Sequence, residues 1–347
     1  MDELAPRYRA ELLHTWVTQL FENLSIPPDD AQIIADTLIE ANLRGVDSHG
    51  IAQLTIYVRD IQQGQTNIHP NILVVTETPA TALIDGDNGF GMVVSVRAMH
   101  EAIKRARQCG IAGVGVRQST HFGAASYYTM MAANEGMIGL AFTNVMPYMA
   151  PWGGKSRLLG NNPLSIAVPG GIEGGVVLDM ATSKVAWSKM YLLSHAGQKM
   201  PLDWALDQDG QPTEDPNEGM AGLMLPVGEH KGYGLALMVQ MLSAVLTGAA
   251  FDHHIVNWQN IGHFFVAIDV NSFIPYKGFC ERVSQLVADL HQSKPLKEGQ
   301  PIYVPGEIEA QTKQQRLATG IPIEANVVAK LTQLGKEFCV PFPQLTE

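Results

Sequence analysis

The chain has 347 residues, of which 46% are hydrophobic and 16% charged, and it carries a formal net charge of −11 at pH 7. This composition indicates a folded globular protein of roughly two domains and excludes a disordered chain. The acidic balance leaves no basic stripe to neutralise phosphates, so nucleic acid is not expected as a partner.

The three cysteines, Cys109, Cys280 and Cys339, are widely separated and match neither a disulfide framework nor a CxxC motif. A reducing cytoplasm is therefore the expected location. Residues 1–11 are charged and lack the apolar core of a signal peptide. No uninterrupted apolar run reaches the about 18 residues of a membrane span, so we expect no membrane partner.

Helical periodicity dominates the first 65 residues. Two apolar stripes at helical spacing are separated by a Pro-Pro-Asp-Asp turn at 27–30. The stripes consist of Leu12, Leu13, Trp16, Val17 and Leu20, followed by Ala31, Ile34, Leu38 and Ala41. The pattern predicts two amphipathic helices before residue 44.

From residue 72 the pattern changes to short strands mixed with helices. Strands are predicted at 74–75, 82–84, 111–116, 138–142, 164–168, 176–178 and 264–268. Helices are predicted at 91–108, after residue 121 through 131, at 235–246, and at 279–292, 307–319 and 325–338. The 235–246 helix is apolar on nearly every side and is expected to be buried, whereas 187–217 is expected to be irregular.

The expected fold class is therefore mixed α/β. Helical ends flank a strand-rich middle, which predicts that the two ends pack together around a central sheet. On this basis residues 1–120 plus 275–347 form a discontinuous helix-rich domain, and residues 121–274 form a sheet-rich domain.

The stretch Arg-Gly-Val-Asp-Ser-His-Gly at 44–50 is the most informative in the chain. The following helical stripe of Ile51, Leu54 and Val58 places His49 and Gln53 together on the opposite face, one turn apart. A histidine beside a flexible glycine near a helix start can exchange protons with a ligand near neutral pH. A solvated surface histidine is the alternative interpretation.

Four other stretches combine polar groups with strand ends or helix starts, at 119–123, 159–163, 179–183 and 228–234. Ligands of α/β proteins collect at such places, although capped helices and simple turns have the same composition. In 228–234, backbone amides, the helix dipole and Lys231 would suit an anion such as a phosphate. Close packing of its glycines is the alternative.

Several common site motifs are missing. No G-x-G-x-x-G follows a strand, and neither HExxH nor G-x-S-x-G occurs. Residues 153–156 resemble the end of a P-loop, but Met149 stands where its first glycine belongs. His253, His254 and His263 lack the spacing of metal ligands, so no metal site is expected.

Taken together, the chain resembles the malate/L-lactate dehydrogenase family of the non-Rossmann type. The resemblance rests on collinear segments spanning about residues 8 to 340, at 44–50, 85–91, 121–128, 159–169, 178–183, 207–216, 231–237 and 304–307. Each segment is weak alone, whereas eight in order are highly specific.

The resemblance implies an NAD- or NADP-dependent oxidoreductase that transfers a hydride between nicotinamide and C2 of a small 2-oxo or 2-hydroxy acid. It also implies the family's non-Rossmann fold, with 121–274 as the nucleotide-binding domain, and a homodimer. Reduction of a cyclic imine carboxylate is an alternative activity within the family. A catalytically silent nucleotide-binding relative is a further alternative.

The resemblance also assigns residues. His49, with Ser48 beside it, is expected to be the acid/base, and His121 is its rival or the group that polarises the carbonyl. The expected cofactor-binding residues are Asn144, Val145, Asp179, Met180, Ala181, His230, Lys231, Gly232, Pro305, Gly306 and Glu307.

One position departs from the family. Four residues after the motif histidine the family usually has an arginine, expected to hold the substrate carboxylate, and this chain has Gln53. An amide cannot replace that charge. Gln53 and Arg59 are the expected substrate-binding residues, with Arg44 and Lys155 as other candidate cations.

Overall fold

The computed structural model describes residues 5–345. Its helices are α1 (Ala10–Asn23), α2 (Pro28–Leu43), α3 (Leu54–Gln62), α4 (Gly91–Cys109), α5 (Ser126–Asn134), α6 (Trp187–His195), α7 (Pro216–Ala221), α8 (His230–Gln240), α9 (Tyr276–His291), α10 (Glu307–Thr319) and α11 (Ala325–Glu337). Its strands are β1 (Arg7–Tyr8), β2 (Leu73–Glu77), β3 (Thr81–Gly89), β4 (Ile111–Ser119), β5 (Met137–Thr143), β6 (Leu164–Val168), β7 (Val176–Met180), β8 (Ala205–Leu206), β9 (Leu223–Met224), β10 (Ile261–Asp269) and β11 (Ile321–Pro322).

A seven-stranded mixed sheet forms the centre of the protein, in the order β2-β3-β4-β10-β5-β6-β7. Only β3 and β4 pair in parallel, because α4 connects them as a crossover helix; the other neighbours are antiparallel. The register places Phe264 of β10 between Gly115 and Phe142. Helices α4 and α5 cover one face of the sheet, and the mixed α/β fold class is confirmed.

The two ends of the chain pack together, as expected. Strand β1 pairs with β11, with Tyr8 opposite Ile321. The indole N–H of Trp16 donates to the carbonyl of Val340 at 2.9 Å. Apolar residues of α1, α2, α3 and α11 form one core there. The central sheet draws strands from both predicted segments, and the division into 1–120 plus 275–347 and 121–274 stays a prediction.

One expectation about secondary structure is wrong, and one predicted helix has a different start. Residues 187–217 are not irregular throughout, because they contain α6, β8 and the first residues of α7. Met190 of α6 is fully buried in a small cluster with Met149 and Met200, which stabilises the helix without a long apolar stripe. The predicted helix 235–246 begins earlier, at His230, and ends in a π-helical turn, Met241–Val245.

That helix also exposes an apolar surface instead of burying it. The apolar face of α8, as we call it, consists of residues that are 43 to 63% exposed, namely Leu235, Met238, Met241, Val245 and Leu246. Among residues 5–345, no helix combines the length and the hydropathy needed to cross a bilayer.

Candidate active site

A cavity of about 1070 Å³ lies between the 44–59 segment, one edge of the sheet and the 303–309 loop. Its polar lining comes from several elements: His49 from the turn after α2, His121 from the end of β4, and Asp179 from the end of β7. Because these strand ends meet at one edge of the sheet, segments far apart in sequence converge on the cavity.

The 44–50 motif is held by contacts with α10 that its own sequence does not indicate. Gly45, with φ +80°, ends α2, and a Cβ there would approach Thr312 of α10 to 3.1 Å. The carboxylate of Asp47 accepts two hydrogen bonds from the buried guanidinium of Arg316, at 2.7 and 2.9 Å. Such a bidentate pair fixes both distance and orientation. Asp47 and α10 therefore hold the motif in place.

Gly50 separates His49 from Gln53, so the expectation that they lie one turn apart on a single helix is wrong. Gly50 is extended, with φ −92° and ψ −153°, and divides two 3₁₀ turns, Asp47–His49 and Ile51–Gln53. A Cβ at Gly50 would lie 2.2 Å from the Asn42 side chain, whose Oδ1 accepts from the backbone N–H of Ile51. This close approach of α2 requires glycine and breaks the helix.

His49 faces the cavity beside three polar groups. Its Nδ1 shares a hydrogen bond of 2.9 Å with the hydroxyl of Ser48. Its ring stacks at 5.7 Å on that of His121. Burial lowers the pKa of His49 below its ordinary 6.5, and the negative charge of Asp179 opposes this shift. Burial therefore favours the neutral imidazole, and the nearby carboxylate stabilises the protonated form.

Asp179 is exposed to the open cavity, whose walls surround its side chain. Burial raises the pKa of its carboxyl above 3.8, while a hydrogen bond from the backbone N–H of Ser126, at 2.8 Å, and the charges of His49 and Arg44 lower it. The carboxylate thus binds the first N–H of α5, where the helix dipole favours negative charge. It both caps α5 and sets the electrostatics around His49.

His121 is held by a tyrosine that the sequence analysis missed. The Tyr57 hydroxyl and His121 Nδ1 lie 2.8 Å apart. Burial raises the pKa of Tyr57, so the phenol keeps its proton, whereas burial and His49 lower the pKa of His121 to about 3. Because His121 is the hydrogen-bond partner found for this phenol among the described residues, the phenol donates to Nδ1. The neutral imidazole then carries its proton on Nε2.

Behind His121, a second buried histidine supports the wall of the cavity. His263 shares hydrogen bonds with Thr143 and Ser119, at 2.8 and 2.9 Å, and its ring stacks on Phe122 at 4.6 Å. Burial lowers the pKa of His263 to about 3. It is a structural histidine whose two ring nitrogens both have hydrogen-bond partners within the protein. Among residues 5–345, no three His, Cys, Asp or Glu side chains are grouped to hold a metal.

Seven of the eleven residues expected to bind the cofactor line the cavity: Asn144, Val145, Asp179, Met180, Ala181, Pro305 and Gly306. The side chain of Asn144 is occupied within the protein, since it donates to the carbonyl of Ala250 and accepts from the N–H of Gly262. The backbone N–H of Asn144 donates to the carbonyl of Gly262 and its carbonyl accepts from the Thr143 hydroxyl, at 3.4 and 3.1 Å, so Asn144 fixes the wall of the cavity.

The other four expected cofactor residues, His230, Lys231, Gly232 and Glu307, do not line this cavity. His230 lies against the ring of Trp152. A Cβ at Gly232 would lie 2.1 Å from the carbonyl oxygen of Val227, which is the packing role left open for this glycine. Glu307 accepts from the N–H of Val304 and pairs with His291, at 3.0 and 2.9 Å.

Of the candidate substrate cations, two are already engaged. Arg59 lines the cavity but pairs with Asp60 at 2.8 Å. Lys155 donates to the carbonyl of Asp209 and does not line the cavity. Gln53 lines the cavity, and its amide donates to the carbonyl of Ser48 at 2.6 Å. Gln53 therefore braces the residue before His49.

The family model of malate/L-lactate dehydrogenase matches residues 8–332. The chain belongs to this family. It is 40% identical over 348 residues to a malate dehydrogenase of Pyrococcus horikoshii, covering 97% of this chain and 96% of that protein. The solved structure of malate dehydrogenase from that organism matches with a TM-score of 0.90 at 39% identity, covering 99% of this chain and 98% of the other.

Other family members carry different names. An L-sulfolactate dehydrogenase of Methanocaldococcus jannaschii is 39% identical over 327 residues, covering 92% of this chain and 94% of that protein. The solved delta1-piperideine-2-carboxylate reductase of Pseudomonas syringae matches with a TM-score of 0.85 at 27% identity, covering 94% and 99% of the two chains. The chain is accordingly an oxidoreductase in a family of hydroxy-acid dehydrogenases.

Proposed function

We propose that the protein is an NAD(P)-dependent oxidoreductase that moves a hydride between nicotinamide and C2 of a small 2-oxo or 2-hydroxy acid. The observation that carries this proposal is the pair of stacked imidazoles, His49 and His121, in the cavity beside Asp179. Carbonyl reduction needs a proton donor and a group that polarises the oxygen, and the two rings can divide these roles.

His49 is assigned as the acid/base. Asp179 favours its protonated form and Ser48 holds Nδ1, which leaves Nε2 for the substrate oxygen. His121 is assigned as the polarising group, because Tyr57 supports a neutral ring that donates from Nε2. A neutral imidazole with a pKa of about 3 is a poor base but a serviceable hydrogen-bond donor.

The cavity suits a dinucleotide together with a small acid. Its volume of about 1070 Å³ is at the upper limit of the about 300–1000 Å³ typical of small-molecule sites. Backbone without large side chains lines part of it, at Gly123, Ala124, Ala181 and Gly306, which allows a flat ring or a phosphate to approach closely. When bound, the nicotinamide supplies or accepts the hydride. Residues 121–274 are proposed as the nucleotide-binding domain.

Binding and turnover assays test this function. Titration of the purified protein with NADH and NADPH, followed by fluorescence, should detect binding of at least one of them. Oxidation assays of the bound dinucleotide with pyruvate, oxaloacetate and sulfopyruvate should then show turnover. The absence of dinucleotide binding would contradict every redox assignment, whereas binding without turnover of any acid would favour a silent relative.

Reduction of a cyclic imine carboxylate is the second candidate. Two observations favour it: the structural match to a piperideine-carboxylate reductase and the replacement of the usual arginine by Gln53. The same assay with Δ1-piperideine-2-carboxylate distinguishes the two activities. A higher kcat/KM for the imine than for every 2-oxo acid would establish this alternative.

A homodimer in the cytoplasm is also proposed, with no nucleic acid or membrane as a partner. The apolar face of α8 supports a dimer, because such exposed apolar surfaces are typical of interfaces. Met238→Glu should lower the sedimentation coefficient to that of a monomer in analytical ultracentrifugation. Leu296→Glu, which places the same charge at a residue that is 93% exposed outside this face, should leave the assembly unchanged.

A further inference from the structure

Arg44 is a buried cation without a partner. It follows the last residue of α2, is 7% exposed and lines the cavity. Within the described part of the chain its guanidinium makes neither an ion pair nor a side-chain hydrogen bond. The two other arginines of the cavity differ, since Arg59 pairs with Asp60 and Arg157 donates to the carbonyls of Gly222 and Met220.

Burying an unpaired charge is unfavourable, and guanidinium stays charged throughout the physiological range. An anion bound beside the guanidinium would offset this cost. Asp179 does not satisfy it, because their interaction is a longer-range attraction that lowers the pKa of Asp179 without a direct contact. The guanidinium therefore keeps its donors free for a ligand.

The position of the guanidinium indicates which part of a ligand it meets. A Cβ on Gly174 would lie 3.9 Å from Arg44 Nη1, so the guanidinium lies beside the turn that precedes β7. Asp179 is near the other end of β7. Strand residues rise about 3.3 Å each, so the backbone of this turn lies most of the length of β7 away from Asp179, whose pKa the Arg44 charge still lowers. A ligand group that meets the guanidinium therefore lies away from the reacting carbon, as a phosphate of a dinucleotide does.

We infer that Arg44 binds an oxyanion of the ligand at a point remote from the reacting carbon, and a phosphate of the dinucleotide is the group that best fits. A second carboxylate or a sulfonate of the substrate has the same chemistry and is the other source. This inference rests on the proposed function only for the identity of the ligand that carries the oxyanion. The anion site itself depends on Arg44 and the cavity alone.

Three variants test the inference. Arg44→Gln removes the charge, Arg44→Lys keeps it without the planar fork, and Lys277→Gln removes one positive charge from a side chain that is 91% exposed outside the cavity. Fluorescence titration should show NADH binding weakened about 10- to 150-fold in Arg44→Gln, the loss expected for one charge-assisted hydrogen-bonded contact. The NADH affinity of Arg44→Lys should lie between those of the wild type and Arg44→Gln. The NADH affinity of Lys277→Gln should equal that of the wild type.

Thermal unfolding with non-reacting anions distinguishes a phosphate of the dinucleotide from an acid group of the substrate as the source of the oxyanion. Pyrophosphate should raise the Tm of the wild type but not of Arg44→Gln, and malonate should have the smaller effect. If malonate no longer raises the Tm of Arg44→Gln while pyrophosphate still does and NADH binding is retained, the oxyanion that Arg44 binds belongs to the substrate. Without any ligand, Arg44→Gln should be at least as stable as the wild type, because it removes an unpaired buried charge. Unchanged responses to NADH, pyrophosphate and malonate, or a large loss of ligand-free stability, would overturn the inference.

The two arms also separate this inference from the proposed function. A wild type that binds neither NADH nor NADPH contradicts the proposed function alone. The loss of pyrophosphate or malonate stabilisation in Arg44→Gln would still establish the anion site.

Discussion

The rings of His49 and His121 lie 24° from parallel, with centroids 5.7 Å apart, and each is bound through Nδ1 to a hydroxyl of its own side of the cavity. Ser48 serves His49 and Tyr57 serves His121. The equivalent nitrogen, Nε2, therefore stays available on both rings. Two imidazoles that are held alike but differ in electrostatics can perform two different tasks on one substrate atom.

The first prediction separates those tasks. His49→Gln should lower kcat by about 10²- to 10⁴-fold, the usual contribution of an acid/base. Because burial lowers the pKa of His49, hydroxy-acid oxidation by the wild type should persist below pH 6.5, where an ordinary imidazole is protonated. The pH profile of kcat/KM checks this, and its acidic limb should survive in His121→Gln. Loss of that limb in His121→Gln but not in His49→Gln would exchange the two assignments.

The second prediction concerns Tyr57 as a positioning residue. Tyr57→Phe removes the donor that holds His121 in one tautomer, so kcat should fall about 5- to 10-fold, equivalent to ~1 kcal/mol for one net hydrogen bond. KM should change less than kcat, because the phenol binds the histidine and not the ligand. Tyr127→Phe is the matched control, since Tyr127 lies outside the cavity. Equal kcat values in Tyr57→Phe and wild type would exclude the positioning role.

The third prediction uses the close approach at Gly50. Gly50→Ala puts a Cβ where the Asn42 side chain lies and displaces its hydrogen bond to the Ile51 N–H. The free energy of unfolding should fall by about 1–3 kcal/mol, and kcat should fall with it because His49 adjoins the displaced segment. Gly278→Ala, at a helical glycine with nothing within 4 Å of the added Cβ, should instead stabilise by about 0.5–1 kcal/mol. Similar effects of both variants would contradict the steric argument.

The fourth prediction follows from the buried His263. Its pKa of about 3 in the folded protein lies below the 6.5 of an ordinary histidine, so the unfolded chain binds more protons between these values. The stability it contributes is present above pH 6.5 and is lost as the pH falls towards 3. Denaturant unfolding from pH 4 to 6 should show a steeper rise in wild type than in His263→Gln, by up to about 1.4 kcal/mol per pH unit. If the free energy of unfolding depended on pH equally in wild type and His263→Gln, the lowered pKa of His263 would be contradicted.

The sequence was sufficient to predict elements with local causes. The predicted stripe is the buried side of α1 from Leu13 to Leu20, although its first residue, Leu12, is 44% exposed. The apolar run at 264–268 is part of the central strand β10. The sequence marked the polar ends of β4 and β7 as separate places where ligands collect, and in the structure both ends face one cavity.

Other features depended on partners far away in the chain. The pair Tyr57 and His121 is separated by 64 residues, and no periodicity relates the two. The break at Gly50 depends on how closely Asn42 packs against it, which a helical pattern cannot indicate. The exposed side of α8 was predicted to be buried because a helix that is apolar on nearly every side does not indicate which side faces solvent.

The pairing of Asp47 with Arg316 joins residues 269 positions apart. During synthesis, chains grow from the N-terminus at about 5–20 residues per second. Residue 316 is therefore added at least about 13 seconds after residue 47, and during that time the 44–50 motif lacks its ion-pair partner. A ribosome-bound or C-terminally shortened chain lacks the cation that fixes this motif. On the proposed function, we therefore expect catalytic competence to arise only when translation is almost finished, and a chain that ends before Arg316 to be inactive even where its central sheet forms.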